Sequence, residues 1–137
     1  MKYFLVLMFS LIMGSLFAQE NDSIINYNAE MDLGEVFSFE NKSIQFKKVI
    51  TDSRCPKDVT CIWAGEAKVL IAVMVNGREV EEKIITLAVK KDFQLSFLNS
   101  EVIYSLNALN LYPYPTSTHK IKESEYCLII QLNKKLE

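Results

Sequence analysis

Ala67-Lys68-Val69-Leu70-Ile71-Ala72-Val73-Met74-Val75-Asn76-Gly77-Arg78 is the stretch that decides how this chain folds. Residues 67, 69, 71, 73 and 75 are all apolar, the period of two that a β-strand imposes on its side chains. The opposite face, Glu66, Lys68, Leu70, Ala72 and Met74, is polar only at its start, so a strand inside a sheet is expected, with both faces covered. Asn76-Gly77 follows at once. A two-residue type I′ hairpin turn needs positive φ at both central positions, which Asn and Gly tolerate best. The return strand is read from Arg78 to Val89: Glu79, Glu81, Glu82 and Lys83 keep its first half in water, and Ile85, Leu87 and Val89 share one face.

Outward from this hairpin the same period recurs. Val36–Phe39 is a short strand, and Ile44, Phe46, Lys48 and Ile50 alternate with Gln45, Lys47 and Val49 as a half-buried one. Downstream, strands are expected at Phe93–Leu98, Val102–Leu106 and Tyr126–Leu132; in the last, Tyr126, Leu128, Ile130 and Leu132 face one way and Cys127 and Ile129 the other. Residues 19–33 show no sustained period and read as a flexible lead-in, at best a partial edge strand, with order beginning near Gly34. The last residues, Asn133 to Glu137, read as solvated. No helical pattern intervenes. About seven strands joined by turns predict an all-β domain over 34–137, an antiparallel β-sandwich for which an immunoglobulin-like arrangement is one form. A small β-barrel is the alternative.

The first eighteen residues carry a different signal. Met1-Lys2, an apolar run from Tyr3 to Gly14, and Ser15-Leu16-Phe17-Ala18 are the three regions of a secretory signal peptide, with cleavage expected after Ala18. The apolar run is short of the ~20 residues that span a bilayer, and Gln19-Glu20-Asn21-Asp22 follow it, so no membrane span is expected after cleavage. The protein is therefore expected in the periplasm or outside the cell, as a monomer. Losing Lys2 with the leader takes the formal charge from −2 to −3. A mildly acidic domain without a run of Lys or Arg lacks the electrostatic footprint of a nucleic-acid binder.

Export changes how the cysteines read, because disulfides persist outside the cytoplasm. Cys55 and Cys61 most simply form a disulfide across a small loop, a closure that stabilises by roughly 2–2.5 kcal/mol on chain-entropy grounds. Metal binding is the rival, but zinc asks for four ligands, and His119 and Cys127 are the only other soft ones. Redox catalysis is weakly supported, since Cys-x-x-Cys at a helix start is missing. Cys127, among apolar neighbours, reads as a free, small buried hydrophobe. No metal and no cofactor are expected.

Asp52-Ser53-Arg54-Cys55-Pro56, Cys61-x-Trp63-Ala64-Gly65-x-Ala67 and Leu111-x-Pro113-Tyr114-Pro115 resemble a family of small exported bacterial proteins of uncharacterised function. The resemblance covers about seventeen contiguous residues plus the Pro-Tyr-Pro loop, and implies a compact β-rich fold without an agreed activity. Some similar proteins are lipoproteins; this sequence has no cysteine beside the cleavage site to accept a lipid.

Each loop residue has a structural and a functional reading. Asp52 and Arg54 either pair across a turn or join Lys57 and Asp58 as a charged recognition surface, with Trp63 as aromatic anchor and Tyr114 beside it. Trp63 alternatively covers the disulfide and plugs the sandwich edge. Gly65 marks a bulge or a tight turn into the next strand. A tyrosine before each proline of Pro113-Tyr114-Pro115 makes these bonds candidates for cis geometry. His119, amid Ser and Thr, supplies only the composition of a catalytic triad, with no Gly-x-Ser-x-Gly elbow. The reading that results is a non-enzymatic binding module whose stapled loop meets a protein or saccharide partner. A small hydrolase or metal-handling protein centred on His119 and a structural envelope component are the alternatives.

Overall fold

The computed structural model describes residues 23–87, 93–95 and 102–135. In chain order these form β1 (Ile24–Asp32), β2 (Val36–Phe39), β3 (Lys42–Asp52), β4 (Ala67–Val75), β5 (Arg78–Thr86), β6 (Phe93–Leu95), β7 (Ile103–Tyr112) and β8 (Cys127–Lys135), with a single 3-10 turn at Glu123–Glu125. The signal peptide, residues 88–89 of the return strand and 96–98 of the following one lie outside the described residues.

The expected hairpin is present. Asn76 and Gly77 take φ of 51° and 77°, and β4 and β5 pair from Val75–Arg78 outward. The strands form two antiparallel sheets, ordered β2-β3-β4-β5 and β1-β8-β7-β6. Seven of them, three in one sheet and four in the other, have four residues or more; β6 adds a three-residue edge. The sheets face each other as a sandwich.

Its connectivity differs from an immunoglobulin domain, in which Greek-key connections mix strands from both halves of the chain in each sheet. Here consecutive strands are neighbours, and β1 closes back onto β8. This is the order of an up-and-down barrel opened at two seams, β1/β2 and β5/β6. Among the described residues no ladder crosses either seam, so the barrel alternative fails as well.

One core fills the space between the sheets. Phe39, Ile44, Phe46, Val69, Ile71, Val73 and Ile85 meet Met31, Tyr104, Leu106, Leu111, Leu128, Ile130 and Leu132, all buried. β4 is interior to its sheet, as its two-sided apolar pattern required.

Four expectations need correction. Residues 24–32, expected within a flexible lead-in, form a nine-residue edge strand paired along its whole length with β8; Tyr27, Ala29 and Met31 point inward, a pattern masked by the polar residues between them. β8 runs on to Lys135 because β1 and β7 both pair with Asn133–Lys135. β7 extends to Tyr112 because a bulge between Ala108 and Asn110 resets the alternation and turns Leu111 into the core. In β3, bulges between Phe46 and Lys48 and between Val49 and Thr51 break the expected Ile44–Phe46–Lys48–Ile50 face: Val49 packs on the core, and Lys48 and Ile50 turn to solvent.

Candidate functional site

The connection between β3 and β4 is held at its neck by backbone bonds that prolong the ladder. Beyond the last pair, Asp52–Ala67, the Ser53 N–H donates to Glu66 O at 2.8 Å and the Cys55 N–H to Ala64 O at 2.9 Å. Ser53 Oγ donates to the Glu66 carbonyl (3.0 Å) and accepts from the Glu66 N–H (3.1 Å). Cys55 and Cys61 form the expected disulfide. Gly65 sits at φ +69°, and a Cβ there would lie 1.8 Å from the Ser53 carbonyl oxygen. The neck therefore requires glycine for space as well as for conformation.

Arg54 ties this neck to the Pro-Tyr-Pro loop. Its Nε and Nη2 donate to Asp52 Oδ1 and Oδ2, both at 2.8 Å, while Nη1 and Nη2 donate to the carbonyls of Leu111 (2.6 Å) and Pro113 (3.1 Å). The guanidinium lies over the Tyr114 ring, 4.9 Å from its centroid, a stacking geometry that lysine does not reproduce. The Tyr126 hydroxyl donates to Asp52 Oδ2 at 3.0 Å. The Arg54 and Asp52 side chains are only 9% and 8% exposed. They are the frame of the loop; its accessible surface lies elsewhere.

The far limb is tied down too. The Lys57 N–H donates to Pro115 O at 3.0 Å, and the Asp58 carboxylate accepts from the Ser117 N–H at 2.8 Å and from the Ser117 hydroxyl. Those bonds hold the Asp58 carboxyl below the usual carboxylate range. The Tyr112–Pro113 bond is cis.

What the frame presents is apolar. Ile62 is 92% exposed and Trp63 80% exposed, with Val59 exposed nearby. Trp63 therefore neither covers the disulfide nor plugs the sandwich edge. Ile62 was missed in the sequence, where an apolar residue beside a cysteine is indistinguishable from core. Behind the neck, Arg54, Gly65, Leu87, Leu109, Leu111 and Tyr114 line a groove of about 250 Å³.

His119 lines, with Thr51, Asp52, Lys120, Glu123 and Tyr126, a second depression of about 340 Å³. Its Nε2 is 3.1 and 3.2 Å from the two Glu125 carboxylate oxygens. Among the described residues no group of three or more His, Cys, Asp or Glu is placed to hold a metal ion. Cys127 is free and half-buried on the outer face of β8, where burial and the nearby Asp32 carboxylate push its thiol up.

The Asp52–Tyr126 bond links stability to pH at both ends. Burial pushes the Tyr126 phenol up to about 12, and the Asp52 carboxylate pushes the same way. Burial also raises the Asp52 carboxyl, but the Arg54 guanidinium and the Tyr126 hydroxyl outweigh it and hold Asp52 below its usual range. A raised phenol contributes stability below the unfolded value of about 10 and loses it as pH climbs toward 12. A lowered carboxyl contributes above about 4 and loses it as pH falls through its depressed value. In Tyr126→Phe, which keeps the contribution of the raised Tyr104 phenol, urea midpoints measured from pH 9 to 12 are expected to fall less steeply than in the parent; superimposable profiles would show the Tyr126 hydroxyl uncoupled from folding.

Fold and site together define a two-sheet β-sandwich that carries a disulfide-closed loop with an apolar tip. No family model, curated protein or solved structure matches the chain.

Proposed function

We propose that this protein is an exported, non-enzymatic binding module whose 52–65 loop engages a protein or saccharide partner through its tip. The observation that carries this reading is the pairing of two nearly fully exposed apolar side chains, Ile62 and Trp63, with a neck fixed by Arg54, Gly65 and the disulfide. Such exposure loses hydrophobic free energy in the isolated protein and does nothing for the core. Ordering cost on binding falls when the loop is already fixed, and tryptophan is among the residue types that dominate interface energetics. The N-terminal signal and the resemblance of the loop motif to small exported bacterial proteins support an oxidising destination, where the disulfide persists.

Trp63→Ala is the direct test. Because the side chain is 80% exposed, the melting temperature is expected to stay within about 2 °C of the parent, the scale of an ordinary surface substitution. Capture of the partner from the exported fraction by the immobilised protein is expected to weaken by tenfold or more, roughly 1.4 kcal/mol. Unchanged capture, or a large loss of stability, would make the tip structural.

A further inference from the structure

The tip of the loop differs from its frame in how it is held. The near limb is fixed by groups that involve no sulfur: Arg54 by its carboxylate and carbonyl acceptors, the Lys57 N–H by Pro115 O, and the Asp58 carboxylate by the Ser117 N–H. At the return end Ala64 O accepts from the Cys55 N–H, and Glu66 is bonded to Ser53. Thr60, Cys61, Ile62 and Trp63 lie between Ala64 and Val59, whose N–H donates to Pro56 O at 3.2 Å, and all four are exposed. Among the described residues, none forms a hydrogen bond with any of these four. Besides the chain itself, what ties them to the frame is the bond from Cys61 Sγ to Cys55 Sγ.

That arrangement changes what the disulfide does. A cross-link stabilises a fold by removing chain entropy from the unfolded ensemble, in full only if the folded chain would hold the same ends together without it. Here the folded chain would not. With the bond open, residues 60–63 regain freedom in the folded protein as well as in the unfolded one, so much of the difference between the two states cancels. The core is untouched, because no core residue lies between Asp52 and Ala67. The disulfide therefore adds little to the sandwich and fixes the tip.

We propose that the Cys55–Cys61 bond is a redox control on the tip, closed for binding and opened by a dithiol reductant while the sandwich stays folded. The inference rests on the loop being the binding element. A thiolate of the dithiol attacks the sulfur of exposed Cys61; the S–S bond breaks, and Cys55 leaves as a thiolate and takes up a proton. The second thiol, once deprotonated, attacks the mixed disulfide, so that the reductant departs as its own disulfide and Cys61 is left as a thiol. Two electrons and two protons pass from the dithiol to the protein. Opening the bond leaves Ile62 and Trp63 on a segment that has to be ordered again at each binding event, which lowers affinity.

Dithiothreitol, itself a dithiol, is the probe. Added to the folded, 15N-labelled protein, it is expected to raise the number of thiols, counted by alkylation after denaturation, from the one of Cys127 to three. The melting temperature is expected to fall by less than about 5 °C, against the roughly 8–10 °C that the full loop-closure entropy implies at this chain size. Backbone order parameters over 60–63 are expected to drop from about 0.85 to below about 0.6, with those of Arg54 and Lys57 unchanged. Cys55→Ser/Cys61→Ser is expected to show the same free tip and to capture the partner about tenfold or more weakly, and the parent reoxidised after reduction to capture as before. The proposal is overturned if dithiothreitol leaves the disulfide of the folded protein intact, or if the tip keeps its order once the bond is open. A larger fall in melting temperature overturns it as well, by making the bond a staple of the fold. Trp63→Ala tells the two readings apart. Capture lost in Trp63→Ala but kept in the double variant sinks the redox control alone, whereas capture kept in both sinks the loop reading with it.

Discussion

Arg54→Ala is expected to destabilise the protein by about 3–5 kcal/mol, the range measured when one partner of a buried ion pair is removed. At this chain size that lowers the melting temperature by roughly 10–20 °C. The reason is what stays behind. Asp52 keeps a side chain only 8% exposed, now without the guanidinium that gave it two 2.8 Å hydrogen bonds. The carbonyls of Leu111 and Pro113 lose their donor at the same time, and Tyr114 loses the cation over its ring. Arg54→Lys keeps the charge but not the planar fork, so it is expected to recover only part of the loss. Asp52→Ala/Arg54→Ala is expected to cost less than the sum of the single changes, because no uncompensated charge remains. Urea unfolding of the four proteins measures this. A cost below about 1 kcal/mol for Arg54→Ala, the usual scale of a surface ion pair, would mean that the guanidinium does not hold the neck.

The second large effect is at Gly65. An alanine Cβ would meet the Ser53 carbonyl oxygen at 1.8 Å, in a conformation, φ +69°, that already disfavours a side chain. The obstacle is backbone, which cannot swing aside as a flexible side chain can, so the two limbs of the neck must separate. The expected loss is about 2–4 kcal/mol, combining left-handed strain with overpacking. Gly34 and Gly77 are internal controls: both have positive φ, but a Cβ would find nothing within 4 Å. Their alanine variants carry the backbone strain alone, about 1–2 kcal/mol. Thermal unfolding of the three variants separates the terms, and an equal loss at all three would remove the steric argument. Amide exchange of Cys55 and Ser53 is expected to speed up in Gly65→Ala, since their N–H groups are those that bond across the neck.

The site was only partly legible in sequence. The Asp52–Arg54 pairing and the disulfide were readable because both partners are near in the chain, two and six residues apart. The carbonyls that complete the Arg54 site belong to residues 57 and 59 positions away, and no local pattern marks a backbone acceptor. Lys57 and Asp58 read as surface charges, yet the Lys57 backbone and the Asp58 carboxylate anchor the loop to Pro115 and Ser117. Tyr114 read as a recognition residue and serves as the platform for Arg54.

By itself the sequence determined the all-β class, the β4–β5 hairpin with its Asn76-Gly77 turn, and the buried faces of β4 and β8. All of these follow from alternation and turn chemistry, which act over a few residues. Tertiary structure alone decided that residues 24–32 are a strand, because a weakly patterned edge is ordered by the ladder it joins. It also decided the meander order in place of an immunoglobulin one, and the bulges that move Val49 and Leu111 into the core. It also decided that Trp63 stands in solvent, beyond a neck that Arg54 ties to carbonyls of a distant loop. Burial preferences are written residue by residue, whereas which outward side chains become neighbours, such as Asn26, Asn133 and Ser105 in one row across three strands, is set by pairing across the sheet.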